Sequence, residues 1–182
     1  MAAQPNSPLV TVEEYLNSSY HPEMEFVDGM LVERSVQTIA HSLLCMLLIE
    51  HFALFRRQLE FKALPAARTQ IIELARYRVP DIVLCPEPLD EGRVVVTVPW
   101  AVIEIESPDD KAGMQRRRFR DYLAVGVRHM ILLDPEDLIA HRFENGSLIQ
   151  TAFTELQLPT GTLPFNTEEV FKQLVEERRR SG

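Results

Sequence analysis

The stretch from residue 80 to residue 133 constrains the fold more than any other part of the chain. Two runs rich in β-branched residues, 80–85 (PDIVLC) and 94–106, precede a charged stretch of helix length at 110–124, and an apolar run at 129–133 follows it. Runs of Val, Ile and Leu this dense are typical of strands buried within a sheet. Pro99 separates the second run into two pieces. Ser107-Pro108-Asp109-Asp110 closes that strand and opens the helix, Gly126 stops the helix, and Asp134-Pro135 ends the next strand. A strand, a helix and a strand in this order set the centre of an α/β domain.

The flanks supply the rest of that domain. Thr11 reads as an N-cap, with Glu13 and Glu14 in the first turn of a short helix to about Asn17. Asp28-Gly29 joins two short alternating runs, 24–27 and 30–33, and Asn145-Gly146 joins 138–143 to 148–152. Both are dipeptides that two-residue hairpin turns favour. Segment 38–57 is predicted to be a buried helix, being long, apolar and free of Gly and Pro, while His41, Glu50 and His51 interrupt it too often for a membrane span. Strands are expected at 60–64 and 69–74, and a last helix at 167–180 ends in three arginines. With no repeat, low-complexity tract or linker, the 182 residues are expected to form one domain whose first ten residues are a flexible N-terminus.

Composition narrows the function. A net charge of -8 argues against coating nucleic acid through a diffuse positive field, because neutralisation of phosphates by Lys and Arg dominates such binding. Any contact with nucleic acid must therefore be local. Cys45 and Cys85 fit neither a metal-ligand spacing nor a disulfide framework, and the N-terminus lacks a basic segment followed by an apolar one. A soluble protein of the reducing cytoplasm is expected.

The chemistry concentrates on Pro80-Asp81 at the start of one strand and Glu104-Ile105-Glu106 at the end of another. Alternation along a strand puts Glu104 and Glu106 on one face. If the two strands are neighbours, about 4.8 Å apart, Asp81 and Glu104 can share one hard cation such as Mg²⁺. That cation would polarise a phosphodiester and lower the pKa of an attacking water. A glutamate directly after so apolar a run as Trp100-Ala101-Val102-Ile103 needs a partner or an ion, unless it simply leaves the sheet into solvent.

On the helix at 110–124, about 100° per residue places Phe119, Tyr122 and Leu123 in the buried stripe. Arg116 and Arg118 then flank the stripe, and Arg117, Arg120 and Asp121 point outward; the bland alternative is one solvated charged face, with Asp110 and Asp121 as surface partners. His41, near the start of the long apolar helix, fits either a carboxylate partner or a satisfied core histidine. Glu33-Arg34-Ser35 could equally contact phosphate or be ordinary surface.

Taken in order, Glu25 before Asp28-Gly29, His41, Pro80-Asp81-Ile82-Val83, Val102-Ile103-Glu104-Ile105, Ser107-Pro108, Tyr122, Gly126-Val127 and Asp134-Pro135 resemble the Uma-type restriction-endonuclease-like family, a branch of the PD-(D/E)XK nuclease superfamily. The resemblance implies a mixed sheet flanked by helices, Mg²⁺-dependent phosphodiester hydrolysis in DNA with Mn²⁺ as a substitute, and a homodimer. It also implies that Asp81 and Glu104 bind metal and that Glu25 assists them. Glu106 stands where the superfamily lysine is expected, and Arg118, four residues before Tyr122, holds the helix position to which this branch moves its lysine. Arginine keeps the charge and can fork onto a phosphate, but it cannot act as a base. The resemblance thus gives Glu25, Asp81, Glu104 and Arg118 as catalytic residues; His41, Glu106 and Arg116 are the candidates for supporting them. The alternatives are a catalytically weakened nuclease fold that binds nucleic acid or a protein, and an oligomerisation module built on the apolar segment 43–49.

Overall fold

The computed structural model describes residues 9–72, 75–89, 92–108 and 112–180. Among them, helix α1 (Val12–Asn17) is closed by a capping box between Thr11 and Glu14. The hairpin β1 (Met24–Val27) and β2 (Met30–Glu33) follows, turning at Asp28 and Gly29, both with positive φ. Helix α2 (Ile39–Phe55) is capped by Thr38, and β3 (Phe61–Pro65), β4 (Thr69–Ile71), β5 (Arg76–Arg78), β6 (Ile82–Pro86) and β7 (Ala101–Ile105) come next. Helix α3 (Ala112–Ala124) leads to β8 (His129–Asp134), and β9 (Ile139–Glu144) and β10 (Ser147–Gln150) form the second hairpin, on Asn145-Gly146. A third hairpin, β11 (Glu155–Leu158) and β12 (Gly161–Pro164), precedes α4 (Thr167–Arg180).

The central sheet has the order β10-β9-β8-β7-β6-β3, and a smaller one has the order β2-β1-β5-β4. Strands β7 and β8 run parallel, joined through α3, while β6 lies antiparallel to β7. Side chains alternate across the central sheet. Ile82, Leu84, Ala101, Ile103 and Ile105 face the core shared with α2 and α4, whereas Val83, Cys85, Val102 and Leu132 face the core with Phe119 and Tyr122 of α3. Most of the apolar side chains of α2 enter this packing, while Ile39, Met46 and Leu54 stay exposed, and no helix among the described residues is long and apolar enough to cross a membrane.

Several expectations are corrected. Of the run 94–106 only β7 is a strand; Val95 makes a single bridge to Thr69, and the rest of 94–98 has no ladder partner among the described residues. Strand β5 is absent from the expected elements because Arg76-Tyr77-Arg78 is too short and too polar to show a period, and the hairpin β11–β12 is a second element absent from them. On α3, Asp121 is buried rather than outward, drawn in by arginines of β5, and Leu123 is half exposed instead. Arg116 is exposed on the outer side of α3. The expected helix start at Asp110, residues 73–74 of the expected fourth strand and residues 1–8 of the expected flexible N-terminus lie outside the described residues. Val10 is tied down, its N–H donating to the Gly29 carbonyl at 2.9 Å.

Candidate active site

Register brings the two acids together. Ile82 pairs with Ile103 in the antiparallel β6–β7 ladder, so one further step sets Asp81 opposite Glu104. Glu104 shares the face of Val102 and so points at α3, where the Tyr122 hydroxyl donates to its Oε1 at 2.7 Å. Asp81 is held from three sides. Its Oδ2 accepts the Ile105 N–H at 2.7 Å, and its Oδ1 meets both the Arg34 guanidinium and His41 Nε2, the latter at 3.2 Å. Thr38, the cap of α2, fixes His41 in the first turn by accepting its N–H at 3.1 Å. His41 Nδ1 is buried without a hydrogen-bond partner among the described residues.

Glu25 belongs to an adjoining network. The pair Phe26–Tyr77 in the β1–β5 ladder places Glu25 across from Arg78, whose Nη1 reaches Glu25 Oε2 at 2.6 Å. The Val79 N–H and Arg118 Nε each reach Glu25 Oε1 at 3.3 Å. Arg78 also grips Asp121 Oδ2 through Nε at 2.8 Å and Nη2 at 2.5 Å, and Arg76 takes Asp121 Oδ1 at 2.7 Å. The structure thus puts Asp81, Glu104, His41, Glu25 and Arg118 in one buried region, with Arg116 outside it. Glu106, half-buried just past β7, donates its N–H to the Leu133 carbonyl at 2.8 Å. Sequence reasoning missed Arg76, Arg78 and Asp121, and it left Arg34 undecided.

The two strand acids differ in proton affinity. Burial and the neighbouring Asp81 carboxylate push Glu104 up to about 8. Burial works in the same direction on Asp81, but the His41 hydrogen bond and the Arg34 charge outweigh it and hold Asp81 below the usual carboxylate range. Glu25 is likewise lowered despite burial, by Arg118 and Arg78. Linkage sets the sign. Glu104, with its folded pKa raised, contributes stability that is present below about pH 4.5 and lost as pH rises towards 8, by up to roughly 4–5 kcal/mol. Asp81 and Glu25, with folded values depressed, contribute stability present above the ordinary carboxylate range and lost as pH falls through it.

The residues of the site fit a divalent cation held without a preformed cage. Among the described residues no three His, Cys, Asp or Glu side chains converge as a preformed cage, since Glu25 is committed to guanidiniums. Mg²⁺ does not need such a cage, because it is commonly held by one or two carboxylates together with waters and substrate phosphate. Asp81 and Glu104 supply that pair. Beside Asp81, though not lined by Glu104, a cavity of about 10 Å³ walled in part by Arg34, Ser35, His41, Ser107 and Arg118 is the size of about one water or ion. Burial makes the charged form of Glu104 costly, and a cation would offset that cost. A larger cleft of about 630 Å³ between the end of α1 and residues 92–97 includes none of the carboxylates above.

The expected result in solution is a metal-free melting temperature that falls between pH 6 and pH 9, and a rise on adding millimolar Mg²⁺ that is larger at pH 8.5 than at pH 6, because protons compete with the cation for Glu104. Glu104→Gln should abolish both trends. Thermal melts across that range check it, and a Mg²⁺ effect independent of both pH and residue 104 would contradict the assignment.

The family model Uma2, described as "Putative restriction endonuclease", matches residues 12–170. In three dimensions the chain is similar to the crystal structure of a "putative nuclease belonging to DUF820" from Anabaena variabilis ATCC 29413, with a TM-score of 0.74 at 18% identity over 91% of this chain and 99% of that one. At that identity the likeness is one of fold: a mixed sheet flanked by helices, as the ordered motifs implied. No curated protein matches the chain.

Proposed function

This chain belongs to the Uma2 family, and on that premise we propose that it is a metal-dependent endonuclease that hydrolyses phosphodiester bonds in DNA, with Mg²⁺, or Mn²⁺ in its place, held by Asp81 and Glu104. The observation that carries this reading is the opposition of Asp81 and Glu104 across adjacent antiparallel strands, with Glu104 buried and short of a counter-charge. When bound, the cation supplies a polarised phosphodiester and a more acidic bound water. The chain's own residues do the positioning. The Ile105 N–H and the Tyr122 hydroxyl each fix one carboxylate oxygen, so Asp81 and Glu104 keep their aim with little loss of side-chain freedom on binding. Glu25 pairs with Arg118 and Arg78 at the edge of the site, where Arg118 can face a phosphate without giving up a proton. The same proposal includes a single domain over 1–182, a homodimer and a cytoplasmic location.

A second reading, a catalytically weakened nuclease fold that binds nucleic acid or a protein, is favoured by one observation. Glu106 stands in the place of the superfamily lysine, and Arg118 is engaged by Glu25. Incubating the purified protein with supercoiled plasmid separates the two. Cleavage that needs Mg²⁺ or Mn²⁺ and stops with a chelator supports the nuclease. Salt-sensitive DNA binding with no cleavage in either metal would leave the second reading standing.

A further inference from the structure

Arg34 lies outside every element, one residue past β2, yet its guanidinium reaches the carboxylate of Asp81, which is remote in sequence. Four buried carboxylates, Glu25, Asp81, Glu104 and Asp121, face the guanidiniums of Arg34, Arg78 and Arg118 and that of Arg76, which Asp121 shares with the exposed Asp28. A divalent cation seated between Asp81 and Glu104 adds two positive charges to a set that is already balanced. A guanidinium close to the cation must then look for another anion, and the structure distinguishes among Arg34, Arg78 and Arg118, the three most buried. Arg78 sits in a strand and bridges Glu25 and Asp121; Arg118 sits in a helix on Glu25. Arg34 is in a loop, its side chain is 11% exposed against 7% and 5% for the other two, and, like Arg118, it lines the small cavity beside Asp81. It is also the group that competes with a cation directly. Asp81 Oδ1 already accepts from Arg34 and from His41 Nε2, which fills both of its lone pairs, so a cation on that oxygen displaces one of the two. The repulsion between guanidinium and metal selects Arg34.

We propose that Arg34 is a stand-in cation for the metal-free site, which metal binding releases from Asp81 to take hold of the substrate phosphate at the mouth of the cavity. The proposal rests on the metal-dependent reading above and adds to it the residue that hands the site over from its empty to its loaded form. Arginine suits both positions, since its planar fork matches a carboxylate and a phosphate alike. The order of events follows from the competition. Metal weakens the Arg34–Asp81 pair, and an incoming phosphate gains a donor that was not available before.

The test is a calorimetric titration of the full chain with Mn²⁺ and no nucleic acid, for the wild type, Arg34→Gln and Arg34→Lys, with folding verified by circular dichroism. Removing the competing charge in Arg34→Gln is expected to tighten Mn²⁺ binding by at least about tenfold, with Arg34→Lys staying near the wild type. At saturating Mn²⁺, Arg34→Gln is expected to cleave plasmid at least about a hundredfold more slowly, equivalent to the loss of a charge-assisted contact in the transition state. A purely structural arginine would not give tighter metal binding together with slower turnover. Unchanged or weaker Mn²⁺ binding by a folded Arg34→Gln would overturn the stand-in role while leaving the metal site in place. Tighter binding with an undiminished rate would overturn the phosphate role, and a wild type that binds no Mn²⁺ would remove the metal-dependent reading and this inference with it.

Discussion

Asp81→Asn and Glu104→Gln are each expected to reduce metal-dependent cleavage by at least about a thousandfold, equivalent to about 4 kcal/mol of transition-state stabilisation. Each change takes a charged oxygen from the cation while nearly conserving volume. The two variants should differ sharply in stability. In Glu104→Gln the amide oxygen can still accept from the Tyr122 hydroxyl and the side chain no longer has to ionise when buried, so this variant should be more stable than the wild type at pH 9, by up to a few kcal/mol. Asp81→Asn would set an amide N–H₂ against the Arg34 guanidinium and His41, or else against the Ile105 N–H, and leaving such donors unpaired costs about 1–3 kcal/mol. Plasmid cleavage and urea melts of both variants measure this. Equal activity in either variant would remove that residue from the site, and destabilisation of both at pH 9 would refute the buried-charge account of Glu104.

Arg78→Ala is expected to be the most destabilising single change in the region, at about 3–5 kcal/mol, because it leaves Glu25 and Asp121 charged, buried and short of partners. For a chain of this size that corresponds to a loss of roughly 10 °C or more in melting temperature. Adding Glu25→Gln to Arg78→Ala should recover part of the loss, since the cost is that of an unpaired charge. As a contrast, Arg180→Ala removes a pair with Glu177 at the exposed end of α4 and should change stability by less than about 0.5 kcal/mol. Calorimetry of the wild type and these three variants tests this directly. A loss from Arg78→Ala no larger than that from Arg180→Ala would mean that the network does not hold β1, β5 and α3 together.

What was legible in the sequence was what local chemistry decides. Asp28-Gly29 and Asn145-Gly146 mark turns with the positive φ that the structure has, Thr11 caps the helix that follows it, and Asp81 and Glu104 stand out as acids beside apolar strands. What escaped was decided by partners remote in the chain. Arg76-Tyr77-Arg78 looks like a polar surface segment until Glu25, some fifty residues earlier, and Asp121, some forty later, close around it. The same arginines pull Asp121 inward and so defeat a helix-wheel assignment that weighed only hydrophobicity. Arg34 is hidden for a similar reason, since nothing near it in sequence announces Asp81. By contrast, β11–β12 carried a readable signal: Leu156 and Leu158 alternate with polar residues, and Gly161 follows Pro159-Thr160.

The central claim is that Asp81 and Glu104 hold one divalent cation between adjacent strands. Crystals grown at about pH 8.5 and soaked in Mn²⁺, with anomalous diffraction recorded at the manganese edge, test it most directly. The expected result is a single strong peak within about 2.0–2.3 Å of an oxygen from each of the two carboxylates, with water completing the shell. No peak between Asp81 and Glu104 at saturating Mn²⁺, in crystals whose Asp81 and Glu104 are both well ordered, would contradict it.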